Sequence, residues 1–227
     1  MIEDNKLEQF IKYSLLVHVI AGCVSLLAGL GAIIFRNKIK QHRPFGSVYF
    51  WSMTVVFVTS LYLSLYKENW FLLFISIFTY HGCFTALRSL KLKKLHLDQK
   101  AKWYDWATDF VNIIINLSLI ILGLLIIKTQ LQFAIICIVF GSIGIRGSYS
   151  NIKRYQGKIK EKNYWLMQHL GGMLGSYIGA FTAFLVANNS RWIHAPEIVA
   201  LLGPTIVLVP LIIYELNKRN SKKSIAK

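Results

Sequence analysis

Residues 106–127 read WATDFVNIIINLSLIILGLLII. A segment needs about 20 predominantly apolar residues, within a range of roughly 17–25, to cross a bilayer as a helix, and this one has them. It does not alternate apolar and polar positions as a membrane β-strand must. Working outward in both directions, comparable runs lie at about 10–35, 45–66, 69–90, 130–149, 164–188 and 196–217. The reading is an all-α integral membrane bundle of seven transmembrane helices in a single polytopic domain, residues 1–227. The run at 130–149 is the least regular, because its second half is rich in Gly and Ser and contains Arg146.

Composition agrees. Of the 227 residues 55% are hydrophobic and only 16% charged, against about 25% charged in a soluble domain. This excludes a disordered chain and a disulfide-stapled secreted domain. Cys23, Cys83 and Cys137 all fall inside apolar runs, so they form no extracellular disulfide framework. The first run follows an acidic start and is too long for a signal peptide.

The net charge of +16 first suggests a nucleic-acid partner. Counting loop by loop dissolves that suggestion: 21 of the 26 Lys and Arg fall on one side of the expected membrane. The loops 36–43, 88–102 and 146–162 and the tail after Tyr214 carry them. By the positive-inside rule that side is cytoplasmic, with the N-terminus outside and the C-terminus inside. The expected location is the bacterial cytoplasmic membrane. The expected partners are the lipid bilayer and, at the cytoplasmic face, anionic lipid, attracted by about 1 kcal/mol per basic residue; no nucleic acid is expected. Trp70 and Trp192 at the outer ends of the runs, and Trp103, Trp106 and Trp165 at the inner ends, sit where amphipathic rings settle at the headgroups.

Ionisable residues inside a membrane are costly and default to functional candidates. The runs contain His18, His81, His169, Asp109, Arg146 and Arg88, with His42 at an interface. At about 1.5 Å of rise per residue, His18 and His81 share a depth in the outer half to middle, and His42 and His169 share one near the inner face. Paired imidazoles from separate helices are the ligand set of a low-spin haem or another metal centre. His18 with His81 and His42 with His169 are thus candidate cofactor ligands, with haem b as the candidate cofactor. The plain alternative is that each His hydrogen-bonds a neighbouring helix; a proton relay is the third reading.

Asp109 follows Asp105 by four residues and so shares its helix face. Asp109 is expected to form a buried ion pair with Arg146 or Arg88, which lie at matching depth.

The run at 164–188 contains two rows of small residues, Gly171, Gly175, Gly179 and Gly172, Ser176, Ala180, the spacing that lets helix backbones approach closely in lipid. His169, Met173, Ser176 and Tyr177 share one stripe beside them, with the last three as candidate pocket-lining residues. Ala21, Gly22, Ser25 and Gly29 form a matching stripe on the first run, suited to packing against the sixth.

The segments HVIAGCVSLLAGLGAIIF, KIKQHRPFGSVYFWSM, ALRSLK, WLMQHLGGMLGSYIGAFTAFLVAN and LLGPTIVLVPLIIY resemble a family of uncharacterised bacterial multi-pass membrane proteins that carries a domain-of-unknown-function label. The resemblance falls on His18, His42, Arg43, Gly46, Tyr49, Trp165, His169, Met173, Tyr177, Thr182 and Phe184 and implies a shared fold with no assigned activity. A weaker likeness is to dihaem cytochrome b-type transmembrane electron carriers, from which the chain departs in placing His42 at a helix entrance. Seven-helix zinc hydrolases require a late H-x-x-x-H pair that the chain lacks.

The functional expectation is a histidine-ligated haem or metal site for transmembrane electron transfer, with quinone or a redox protein as partner. The alternatives are a small-solute or proton transporter and a non-catalytic membrane scaffold. No nucleophile or paired-carboxylate constellation points to an enzyme.

Overall fold

The computed structural model describes residues 2–214 except 98, 160, 197, 198, 201, 211 and 212. Six long helices make up most of it: α1 (Ile2–Ile34), α2 (Ile39–Tyr66), α3 (Trp70–Ser89), α4 (Trp103–Ile126), α5 (Leu131–Tyr155) and α6 (Tyr164–Asn188). A single π-helical turn, Asn189–Ile193, follows α6. Five helices, all but α3, are long and apolar enough to cross a membrane among the described residues; α3 has 20 residues. The expected seventh span, 196–217, lies partly outside the described residues; its described positions 199–200, 202–210 and 213–214 are helical.

Two boundaries differ from expectation in ways that matter. α2 begins at Ile39 rather than 45, so Pro44 lies in the second turn and His42 is already helical, its N–H bonded to the Lys38 carbonyl (2.9 Å). α5 runs to Tyr155 instead of stopping at 149. The Gly- and Ser-rich stretch stays helical because its small residues are packed against α4, which outweighs their weak intrinsic preference.

The loops between α1 and α2, α2 and α3, and α4 and α5 span a few residues each, which forces the joined helices to lie antiparallel as neighbours. α1 packs along α2 and α4 along α5 as the two closest pairs, while α3 touches α2, α4 and α6. α1 packs chiefly along α2 and meets α6 only in part; within its small stripe, expected against α6, Gly29 lies against Tyr177 of α6 and Tyr49 of α2. The α3–α6 crossing is close because glycines face each other: a Cβ on Gly172 would stand 2.6 Å from the Gly82 carbonyl oxygen and 2.8 Å from the Ala86 Cβ.

Burial is inverted relative to a water-soluble protein. Asp109, Asn116 and Ser148 are fully buried, whereas Leu125 is 76% and Leu27 71% exposed. Such a surface suits hydrocarbon, and the interior gathers the groups hydrocarbon cannot solvate. Ala28, Tyr49, Phe50, Met53, Cys83 and Tyr177 form an apolar cluster among α1, α2, α3 and α6.

Candidate functional site

The α4–α5 pair is a seam with a heptad pattern. On α4 the buried positions are Asp105, Asp109, Asn112, Asn116, Leu119 and Gly123; on α5 they include Ala134, Cys137, Gly141, Gly144, Ser148 and Asn151. Steps alternating between three and four residues keep one stripe facing a partner helix. Because the helices are antiparallel, the polar members of both stripes meet at one end of the bundle and the apolar members, Leu119, Gly123, Ala134 and Cys137, at the other. The polar end is the basic end, near Arg88 and Arg154.

Asp109 is the centre of the polar half. Its Oδ1 lies 2.9 Å from His81 Nε2 and accepts from the Asn151 side-chain amide at 3.0 Å. Its Oδ2 accepts from the Tyr155 hydroxyl at 2.9 Å. Three helices therefore converge on one carboxylate, and each donor removes part of the cost of keeping a charge out of water.

From there the network continues toward the middle of the seam. Ser148 Oγ is 3.5 Å from His81 Nε2 and accepts from the Asn112 amide at 2.9 Å. Asn112 Oδ1 in turn accepts from the Asn116 amide at 2.9 Å. Asn116 Oδ1 is buried without a hydrogen-bond partner among the described residues. It leans on Gly144, where an added Cβ would collide with the Asn116 amide group, so only a glycine leaves room for this side chain.

One turn nearer the basic end, Asp105 accepts from Arg88 Nε at 2.7 Å and Nη2 at 2.9 Å, a bidentate pair of the strong kind. It also accepts from the Lys102 backbone N–H at 2.9 Å, capping α4. The Arg88 guanidinium lies 4.8 Å from the centre of the Tyr104 ring.

The carboxylates are thus partnered differently from expectation. Arg88 is taken by Asp105, Asp109 is served by His81, Asn151 and Tyr155, and Arg146 is exposed. The reason is geometric: Arg146 lies two residues before Ser148, about 200° away around α5, so when Ser148 faces α4 Arg146 faces outward. Asn112, Asn116, Ser148, Asn151 and Tyr155 were not among the expected site residues, because a search for ionisable groups passes over amides and hydroxyls. The three-and-four spacing of polar and small residues on both helices was the signal that pointed to them.

The expected histidine pairs fare unequally. His18 Nδ1 is 2.9 Å from the Thr59 hydroxyl on α2, while His81 turns to α4, so the outer two are engaged with different helices. His42 and His169 are brought together: their ring centres are 6.3 Å apart with planes at 82°. His42 Nδ1 pairs with the Ala32 carbonyl at 2.9 Å and His169 Nδ1 with the Ala86 carbonyl at 3.1 Å. Further along α6, the Ser176 hydroxyl is 2.7 Å from the Tyr49 hydroxyl, and Tyr177 packs on Tyr49 with ring centres 6.2 Å apart. Met173 packs against the same apolar cluster. Among the described residues no three or more His, Cys, Asp and Glu side chains gather in a group that could hold a metal ion.

An all-helical bundle with an apolar exterior and a polar seam inside is the build of a multi-pass membrane protein. The family model described as predicted membrane protein (DUF2306) matches residues 15–147, more than half of the chain, and the chain belongs to that family. No curated protein and no solved structure matches the chain, so the weaker likeness to dihaem cytochromes gains no support from relatives.

Proposed function

We propose that this membrane protein is a proton carrier, with His81 and Asp109 sharing one exchangeable proton that arrives from the basic, cytoplasmic side. The observation that carries the reading is the 2.9 Å contact between His81 Nε2 and a fully buried Asp109 carboxylate. In the loaded state the ring is an imidazolium beside the Asp109 carboxylate; releasing a proton from Nδ1 leaves a neutral ring whose Nε2 hydrogen still bonds that carboxylate. Asn151 and Tyr155 donate to the same carboxylate in both states. Intramembrane His and Asp of this kind are the recurrent parts of proton relays.

The polar chain runs from Tyr155 at the basic end through His81 to Asn116 and stops where Leu119 and Gly123 meet Ala134 and Cys137. One-sided connection of this kind suits a carrier that alternates its access more than an open channel. The reading takes the N-terminus as outside and the basic loops as cytoplasmic, which the positive-inside rule supports.

Purified protein in liposomes loaded with a pH-sensitive dye tests this. Under a potassium diffusion potential, wild-type vesicles should acidify or alkalinise several-fold faster than protein-free ones, and Asp109→Asn and His81→Phe should remove that excess. A wild-type rate equal to that of empty vesicles, or an unchanged rate in folded Asp109→Asn, would overturn it. The electron-carrier reading needs paired imidazoles at two depths. At the outer depth His18 turns to Thr59 on α2 and His81 to Asp109 on α4, so only the inner pair supports it.

A further inference from the structure

The inner pair carries a separate site. A backbone carbonyl can only accept, so the bonds to the Ala32 and Ala86 carbonyls place the hydrogen of each neutral ring on Nδ1 and leave a lone pair on Nε2. A carbonyl fixing one ring nitrogen while the other points its lone pair elsewhere is the arrangement that orients metal-binding histidines. The two carbonyls belong to α1 and α3, the two rings to α2 and α6, so four helices define the position of the pair.

Spacing agrees. Two imidazoles on one metal, each nitrogen about 2.0–2.1 Å from it, hold their ring centres about 5–6.4 Å apart; here the separation is 6.3 Å, near the wide, trans end of that range. His42 and His169 are both half-buried, near the basic end of the bundle and therefore reachable from the headgroup region. Met173, one turn along α6 from His169, brings a thioether to the same helix face. Arg43 beside His42, and Lys93, whose ammonium lies 4.3 Å from the centre of the Trp165 ring, make the surroundings positive. Such surroundings disfavour a dication and suit a monovalent soft ion.

We propose that His42 and His169 form a two-imidazole site for a transition-metal centre through their Nε2 atoms. The ion is copper(I), held between the two ring nitrogens. The site is independent of the Asp109 network and of the proton reading.

The full chain, purified in nanodiscs on a tag without histidine, tests the proposal. Bound metals are measured by mass spectrometry after expression in copper-replete medium, and copper(I) is titrated against a chromogenic chelator. The expected result is about one equivalent of copper per wild-type chain. His42→Gln and His169→Gln should each lower occupancy at least tenfold with an unchanged gel-filtration profile, while exposed-loop His96→Gln leaves it intact. Wild-type protein that takes up no copper under these conditions overturns the proposal, as does occupancy unchanged in the folded double variant.

Discussion

The seam between α4 and α5 and the His42–His169 pair use the same residue type in opposite ways. In the seam, His81 meets a fully buried carboxylate, and the surrounding amides and hydroxyls are bonded one to the next across three helices. In the pair, each ring spends one nitrogen on a carbonyl, and the two rings meet only edge to face. A histidine absorbed into a network acts through its neighbours, whereas one held by a single bond keeps a nitrogen for something else. In lipid this distinction is sharper than in water, because a polar atom that finds no partner in the protein finds none outside it.

The largest break in that comparison should come from Asp109. Replacing it with Leu removes the acceptor of His81, Asn151 and Tyr155 at once and leaves three donors without it on two helices, α3 and α5. The cost of stripping a buried charged partner is about 3–5 kcal/mol. Steric-trap unfolding in bicelles should show a loss of that order for Asp109→Leu and a smaller one for Asp109→Asn, which retains an acceptor oxygen. A full-length chain that unfolds like wild type after Asp109→Leu would mean the three bonds are not formed together in the membrane.

Gly144→Ala should come next. The new methyl group would occupy the place of the Asn116 amide, and overpacking of a tight contact costs about 1–3 kcal/mol. The pairing has a signature that general destabilisation lacks. Asn116→Ala, which empties that space, should recover a good part of the Gly144→Ala loss when the two are combined. Additive losses in the double variant would place the Asn116 side chain elsewhere.

How much of this was legible beforehand follows from what each signal measures. Hydropathy located α6 at 164–188 and α4 to within three residues, because an apolar run long enough to cross a membrane is a property of the segment itself. It ended α5 six residues early, because Asn151 and Tyr155 are tolerated there only by virtue of α4's matching polar stripe, and hydropathy reads one helix at a time. That shortened helix made Arg146 look like the natural partner of Asp109. Depth matching succeeded for His42 and His169 and not for His18 and His81, since equal depth is necessary for contact while the rotation of each helix decides it. Thr59 faces His18, and nothing about its depth distinguishes it from its neighbours.

The smallest effect is expected there. Thr59→Val removes one neutral hydrogen bond to His18 and conserves shape, and such interhelical bonds average about 0.6 kcal/mol in membranes. The same unfolding assay should register a loss near that size, because the Thr59 hydroxyl spends its own hydrogen on the Val55 carbonyl and only one ring nitrogen of His18 loses its partner. Proton flux in liposomes and metal occupancy in nanodiscs should both stay at wild-type values. A loss of several kcal/mol, or a fall in either activity, would draw His18 into one of the two inner sites. It would also erase the line between the networked seam and the half-committed pair, because a third histidine would then behave like neither.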